Sequence, residues 1–139
     1  MKKLLSLTLV LALCMGLAVP AAAADNLTAG EYLSVSCGDR MTAAIDTDGV
    51  LWTWGSNQYG LLGTGTEAVS SDTPVRVMDD VVSVVCGNDH IAALRGDGSL
   101  WLWGSNQYGQ LGNGGTGNDG DYPADYQTVP LKVLEDVAA

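Results

Sequence analysis

The stretch WGSNQYG occurs twice in this chain, as Trp54 to Gly60 and as Trp103 to Gly109, 49 residues apart. Aligned on itself at that offset, the chain shows 20 identities over the 32 positions from Ser34 to Gly65. A long internal repeat constrains a fold more than any composition does. Each copy must form the same supersecondary unit, and no unit buries its apolar face without a neighbour. The likeness resumes after a gap, where TPVRVMDDV at Thr73 to Val81 answers VPLKVLEDV at Val129 to Val137. The second connection is seven residues longer than the first.

Within each copy the pattern is all-β. Leu33 to Cys37, Met41 to Asp46, Val50 to Trp54 and Pro74 to Met78 read as four short strands of one repeat. Their counterparts are Val82 to Cys86, His90 to Arg95, Ser99 to Trp103 and Pro130 to Leu134. Asp48-Gly49 and Asp97-Gly98 supply hairpin turns. Trp52 and Trp54 share one strand face, as do Trp101 and Trp103, because side chains alternate along a strand. Four strands in about 50 residues is the size of one propeller blade. The sequence therefore predicts two four-stranded blades of a β-propeller in an incomplete ring. Repeats span 33–81 and 82–137, after a leader at 25–32 and before a truncated end at 138–139.

Residues 1–24 read as a signal peptide. Lys2 and Lys3 precede an apolar run, Pro20 and small residues up to a cut after Ala24. The expectation is thus a product secreted from, or held at the surface of, a bacterium, with no membrane insertion after cleavage. The chain is acidic, with 16 Asp and Glu against 6 Lys and Arg and a net charge of -10. A chain so poor in cations cannot follow a phosphate backbone, which excludes nucleic acid as a partner. Cys37 and Cys86 hold matched positions in the two repeats, an arrangement that predicts two small buried thiols rather than a bridge.

The stretches CGDRMTAAIDTDGVLWTWGSNQYGLLGTG and CGNDHIAALRGDGSLWLWGSNQYGQLGNG resemble the repeat of the regulator of chromosome condensation family. Met41 departs from the pattern where the second copy has His90, and Leu61 departs where it has Gln110. The resemblance implies seven-bladed propellers with no shared catalytic residues. It also implies protein binding, since the family includes nuclear exchange factors for a small GTPase and secreted bacterial relatives. With the leader, it points to an extracellular protein-binding module of unidentified partner. The alternatives are an architectural section of a larger cell-surface or wall-associated protein, and an exchange-factor-like GTPase regulator. Two repeats are fewer than a propeller needs to close. A fragment is expected, or self-association if residue 139 is the true end.

The residues expected to build the repeat are Cys37, Gly38, Asp48, Gly49, Trp52, Trp54, Gly55 and Gly60. Their counterparts are Cys86, Gly87, Asp97, Gly98, Trp101, Trp103, Gly104 and Gly109, joined by His90. Catalysis is not expected, because no nucleophile, base and ligand set converges. His90 reads as a structural residue at a strand start, and the tripeptide Arg95 to Asp97 as part of a turn. No cofactor is expected. The insertion 112–126 contains GGTGND, the start of a calcium-binding nonapeptide, and Asp119, Asp121 and Asp125 would be the ligands of a lone calcium. Against that, a single copy forms no roll, and the plain reading is a glycine-rich loop without metal. Tyr122 and Tyr126 in that insertion are the expected interface aromatics.

Overall fold

The computed structural model describes residues 32–115 and 126–138. Strands β1 (Tyr32–Cys37), β2 (Met41–Asp46), β3 (Leu51–Ser56) and β4 (Ser70–Met78) form one antiparallel sheet in the order β1-β2-β3-β4. Strands β5 (Val81–Cys86), β6 (His90–Arg95), β7 (Leu100–Ser105) and β8 (Tyr126–Leu134) repeat that order in a second sheet. Each sheet is a simple meander, as short hairpin connections dictate. All eight expected strands are present, but β3 and β7 run on past their second tryptophan, and β4 and β8 begin four residues before the expected starts at Pro74 and Pro130.

That extension has a local cause. The register jumps between Thr53, paired with Val75, and Gly55, paired with Ser71. An identical jump separates Leu102, paired with Leu131, from Gly104, paired with Gln127. Gly55 and Gly104 take φ of +102° and +100°. A Cβ on either would lie 2.5 Å from the carbonyl oxygen of Arg40 or Asp89, so only glycine lets the strand continue. Pro74 and Pro130 fall inside the jumps on the outermost strands, where a missing N–H breaks no ladder.

The hairpin turns are wired differently in the two sheets. In the first, Asp46 Oδ1 accepts from the amides of Asp48 and Val50, and its Oδ2 accepts from Trp52 Nε1 at 2.8 Å. In the second, Arg95 stands in place of Asp46. Asp97 accepts from the amide and hydroxyl of Ser99, whose Oγ accepts from Trp101 Nε1 at 2.8 Å. Both solutions hold the same tryptophan, through different residues.

The core draws on both sheets. Met41, Ala43, Ile45, Leu51 and Leu61 come from the first, and Val81, Val84, Ile91, Ala93 and Trp103 from the second. Each set alternates along its strands, so one face of each sheet meets the other. Where β1 and β5 end the approach is close: a Cβ on Gly38 would lie 2.6 Å from the Gly87 carbonyl oxygen. Cys86 N donates to Ser36 Oγ at 2.9 Å and Cys86 Sγ to the Ser36 carbonyl at 3.4 Å. The expectation of two buried thiols needs correction. Cys86 is half-buried by this joint, whereas Cys37 is exposed because no described sheet precedes β1. No disulfide joins them.

Candidate functional site

The two WGSNQYG bends lie at one end of the sheets, and an asparagine organises each. Asn57 Oδ1 accepts from the Leu62 amide at 3.0 Å, while its Nδ2 donates to the carbonyls of Thr66 and Ala68 at 3.1 and 2.6 Å. Asn106 repeats this with the Leu111 amide at 3.0 Å, Asn113 Oδ1 at 3.1 Å and the Gly115 carbonyl at 3.1 Å. Asparagine can do this because its amide offers donors and an acceptor on a short stem. Gln58 and Gln107, next in each copy, are exposed.

The first bend is clamped between the repeats. Leu61 O accepts from Trp103 Nε1 at 3.0 Å, Gly65 N donates to Thr128 O at 2.9 Å, and Gly60 lies against Thr128. Tyr59 meets Tyr126 with ring centroids 6.3 Å apart and planes tilted by 59°. The heptapeptide is thus a joint in its first copy. In its second copy the bend has no such cover among the described residues, and Tyr108 is 90% exposed. Trp103 is fully buried, as a residue between sheets should be, but Trp54 is only half-buried.

Tyr126 is 42% exposed beside Tyr59, and Val69, whose carbonyl accepts from the Asn57 amide, is exposed next to the same bend. Tyr122, Asp119, Asp121 and Asp125 lie outside the described residues. Among the described residues no group of three or more His, Cys, Asp or Glu side chains could hold a metal ion.

The far end of the sheets is charged. Arg76 pairs with Asp79, Lys132 with Glu135, and Arg95 with Asp80 at 3.8 Å and Asp97 at 3.7 Å. At the bend end, Arg40 pairs with Asp39 at 3.4 Å. Every Lys and Arg of the described residues therefore has a carboxylate beside it, which leaves none uncommitted for an anionic ligand. The guanidinium of Arg95 also donates to the Asp79 carbonyl, which ties the Arg95 to Asp97 tripeptide into its turn. His90 packs its imidazole against Gly87, where a Cβ would meet Cε1 at 2.5 Å. No helix of the described residues is long and apolar enough to cross a membrane.

The model of the regulator of chromosome condensation (RCC1) repeat matches residues 48–94 and 97–139, and a second model of that repeat matches 33–61 and 81–110. The human protein Probable E3 ubiquitin-protein ligase HERC3 is 42% identical over 53 residues, which cover 38% of this chain and 5% of that protein. The structure of Prp20p from Saccharomyces cerevisiae, described with its binding properties to Gsp1p and histones, aligns with a TM-score of 0.66 at 19% identity. It covers 86% of this chain and 27% of that one. Yeast RCC1 (Prp20) bound to Kap60 aligns with a TM-score of 0.59 at 25% identity, over 72% of this chain and 25% of that one.

These relatives are human and yeast proteins, tied to ubiquitin ligation, Gsp1p, histones and Kap60. They overturn the expectation of a secreted or surface-held bacterial member with a signal peptide. The extracellular binding role falls with it. The repeat module is not an enzyme. The solved yeast relatives are described with protein partners, Gsp1p and histones in one case and Kap60 in the other.

Proposed function

Because the chain belongs to the regulator of chromosome condensation repeat family, we propose that its two sheets are consecutive blades of a propeller that regulates a small GTPase by contact. The chain spans about a quarter of the solved relatives, 27% and 25% of their lengths, so it supplies one sector of such a surface. The observation that carries the reading is the Tyr59–Tyr126 contact. It fixes the first bend to the outer strand of the second sheet and leaves Tyr126, Val69 and Tyr108 accessible on one rigid end. Exposed aromatics on a rigid frame are what a protein interface uses, since they bury much area and lose little rotamer entropy. Regulation of this kind needs no nucleophile or metal. The module acts by binding one state of its partner better than another.

Gsp1p, which yeast Prp20p binds, is the first probe. Binding of Gsp1p to the full chain is measured by calorimetry, and release of a labelled guanine nucleotide by fluorescence. Tyr108→Ala combined with Tyr126→Ala should weaken binding at least tenfold while the circular dichroism spectrum stays native. Unaltered binding by the double variant would remove the bend end as the contact surface. Failure of the unaltered chain to bind would remove the GTPase reading.

A further inference from the structure

We infer that the turn NQYG inside the heptapeptide is a two-state element, and that the ring of Tyr126 holds its first copy in the strained state. The four residues are Asn57 to Gly60 in the first bend and Asn106 to Gly109 in the second. Both turns close with the same bond, Gly60 N to Asn57 O and Gly109 N to Asn106 O, each 2.9 Å. The two asparagines accept from Leu62 N and Leu111 N alike, both at 3.0 Å. The closing glycines match as well, with φ of +74° and +73°. The tyrosines do not. Tyr59 has φ of +60° and ψ of 20°, whereas Tyr108 keeps an ordinary negative φ.

Gln58 and Gln107 also keep negative φ, so the first bend carries the signs of a type II turn and the second those of a type I turn. These types differ by rotation of one peptide unit, here the one between glutamine and tyrosine, while the closing bond stays in place. A type II turn favours glycine where Tyr59 stands, because a Cβ there crowds the following carbonyl oxygen. Asp80 and Asp136 have positive φ too, but a short polar side chain tolerates it. Tyr59 is the one bulky residue in that conformation among the described residues. The heptapeptides are identical, so the cause lies in their surroundings.

In the second bend Gln110 Oε1 accepts from the Tyr108 amide at 2.9 Å and steadies the relaxed peptide. Leu61 takes that place in the first bend. It has no acceptor to offer, and its side chain is buried in the core beside Gly104. The strained form gains the ring of Tyr126 instead, with centroids 6.3 Å apart and planes tilted by 59°, a favourable aromatic geometry. One aromatic pair and one residue of left-handed backbone are of similar size, so the balance is close. The strain acts on the contact surface proposed above, and in that it rests on the same reading. A partner that takes over the ring of Tyr126 frees Tyr59 to relax, and the relief offsets part of the cost of breaking the pair. Tyr59 is thus a positioning residue for Tyr126.

The test is nuclear magnetic resonance on the full isotope-labelled chain, without a partner, for the unaltered protein, Tyr126→Phe and Tyr126→Ala. A type II turn brings the Gln58 Hα close to the Tyr59 amide proton, whereas a type I turn brings the two amide protons together. Unaltered protein and Tyr126→Phe should both give the type II cross-peak at Tyr59, because each keeps a ring beside it. Tyr126→Ala should shift the ratio of the two forms about fivefold toward type I, the pattern Tyr108 shows throughout. The remaining amide signals report that each variant is folded. A type I pattern at Tyr59 in the unaltered chain would overturn the inference. So would an unchanged type II pattern in Tyr126→Ala, or one pattern shared by both tyrosines. All three readouts are taken without Gsp1p, so their failure is distinct from a failure to bind it.

Discussion

The indole nitrogen of Trp103 donates to the carbonyl oxygen of Leu61, 3.0 Å away and 42 residues earlier in the chain. That single bond joins the aromatic strand of one repeat to the bend of the other. Both partners are buried, so the bond has no water to replace it.

Trp103→Ala should lower stability by about 3–5 kcal/mol, the usual cost of emptying a large aromatic site. Trp103→Phe keeps most of the volume but orphans the Leu61 carbonyl, at about 1–3 kcal/mol. Trp54→Ala, in an identical heptapeptide, should cost clearly less, because Trp54 is only half-buried. Urea denaturation of dilute protein measures all three. Equal losses at the two tryptophans would contradict the burial pattern.

Gly63→Ala and Gly112→Ala separate conformational strain from contact. Both positions have left-handed backbone, so each substitution carries a penalty of about 1 kcal/mol. At Gly63 the new Cβ also meets Trp103 Nε1 at 2.8 Å and Val77 Cγ1 at 3.1 Å, whereas at Gly112 it meets nothing within 4 Å among the described residues. The loss at Gly63 should be the larger by at least a further 1 kcal/mol, as overpacking of a tight site implies. Thermal melts of the two variants decide it.

Asp46 is a buried carboxylate that three donors surround. Its burial alone would raise its pKa. The hydrogen bonds from Trp52, Val50 and Asp48, with the charge of Arg76, outweigh that and hold it below the ordinary 3.8. The sign follows from linkage: this stabilisation is present above the ordinary value and is lost as pH falls through the lowered one. Asp46→Ala should cost about 1–3 kcal/mol at neutral pH, since an indole and two amides lose their acceptor. Its melting temperature should also depend less on pH at the acid end than that of the unaltered chain.

Cys37 and Cys86 occupy the same repeat position but should differ in reactivity. Burial pushes the Cys86 thiol up to about 11, against only partial relief from its hydrogen bond at Ser36, so little thiolate forms at mildly alkaline pH. Cys37 is exposed. Peptide mapping after brief alkylation should therefore show modification at Cys37 well before Cys86. Equal rates would mean that the joint around Ser36 opens readily.

The strands were legible because the repeat, the Asp-Gly turns and the alternation of apolar residues all act within a few residues of each other. Strand ends were less so. The run-on through Gly55 and Gly104 depends on a register jump against β4 and β8, and those strands lie across a loop. Asp46 was missed as a support for Trp52. The second repeat has Arg95 there and holds Trp101 through Ser99, so comparing the copies hides the role instead of showing it. The one signal that could have found it is an Asp two residues before an Asp-Gly turn, a spacing suited to capping the turn's amides. The family was readable from the repeat motif, but the bacterial, secreted setting was inferred from the leader and not from the repeats.

By itself the sequence determined that there are two equivalent four-stranded units, where their turns fall and which residues alternate toward a face. Those are properties of local geometry and of period, and a chain carries them wherever it is placed. Only the tertiary structure decided which of two identical tryptophans is buried and which thiol is exposed. It also decided which bend is clamped and which presents Tyr108 to solvent. Burial is a relation between a residue and its neighbour, so identical segments acquire different roles once, among the described residues, one of them has a sheet against it and the other does not.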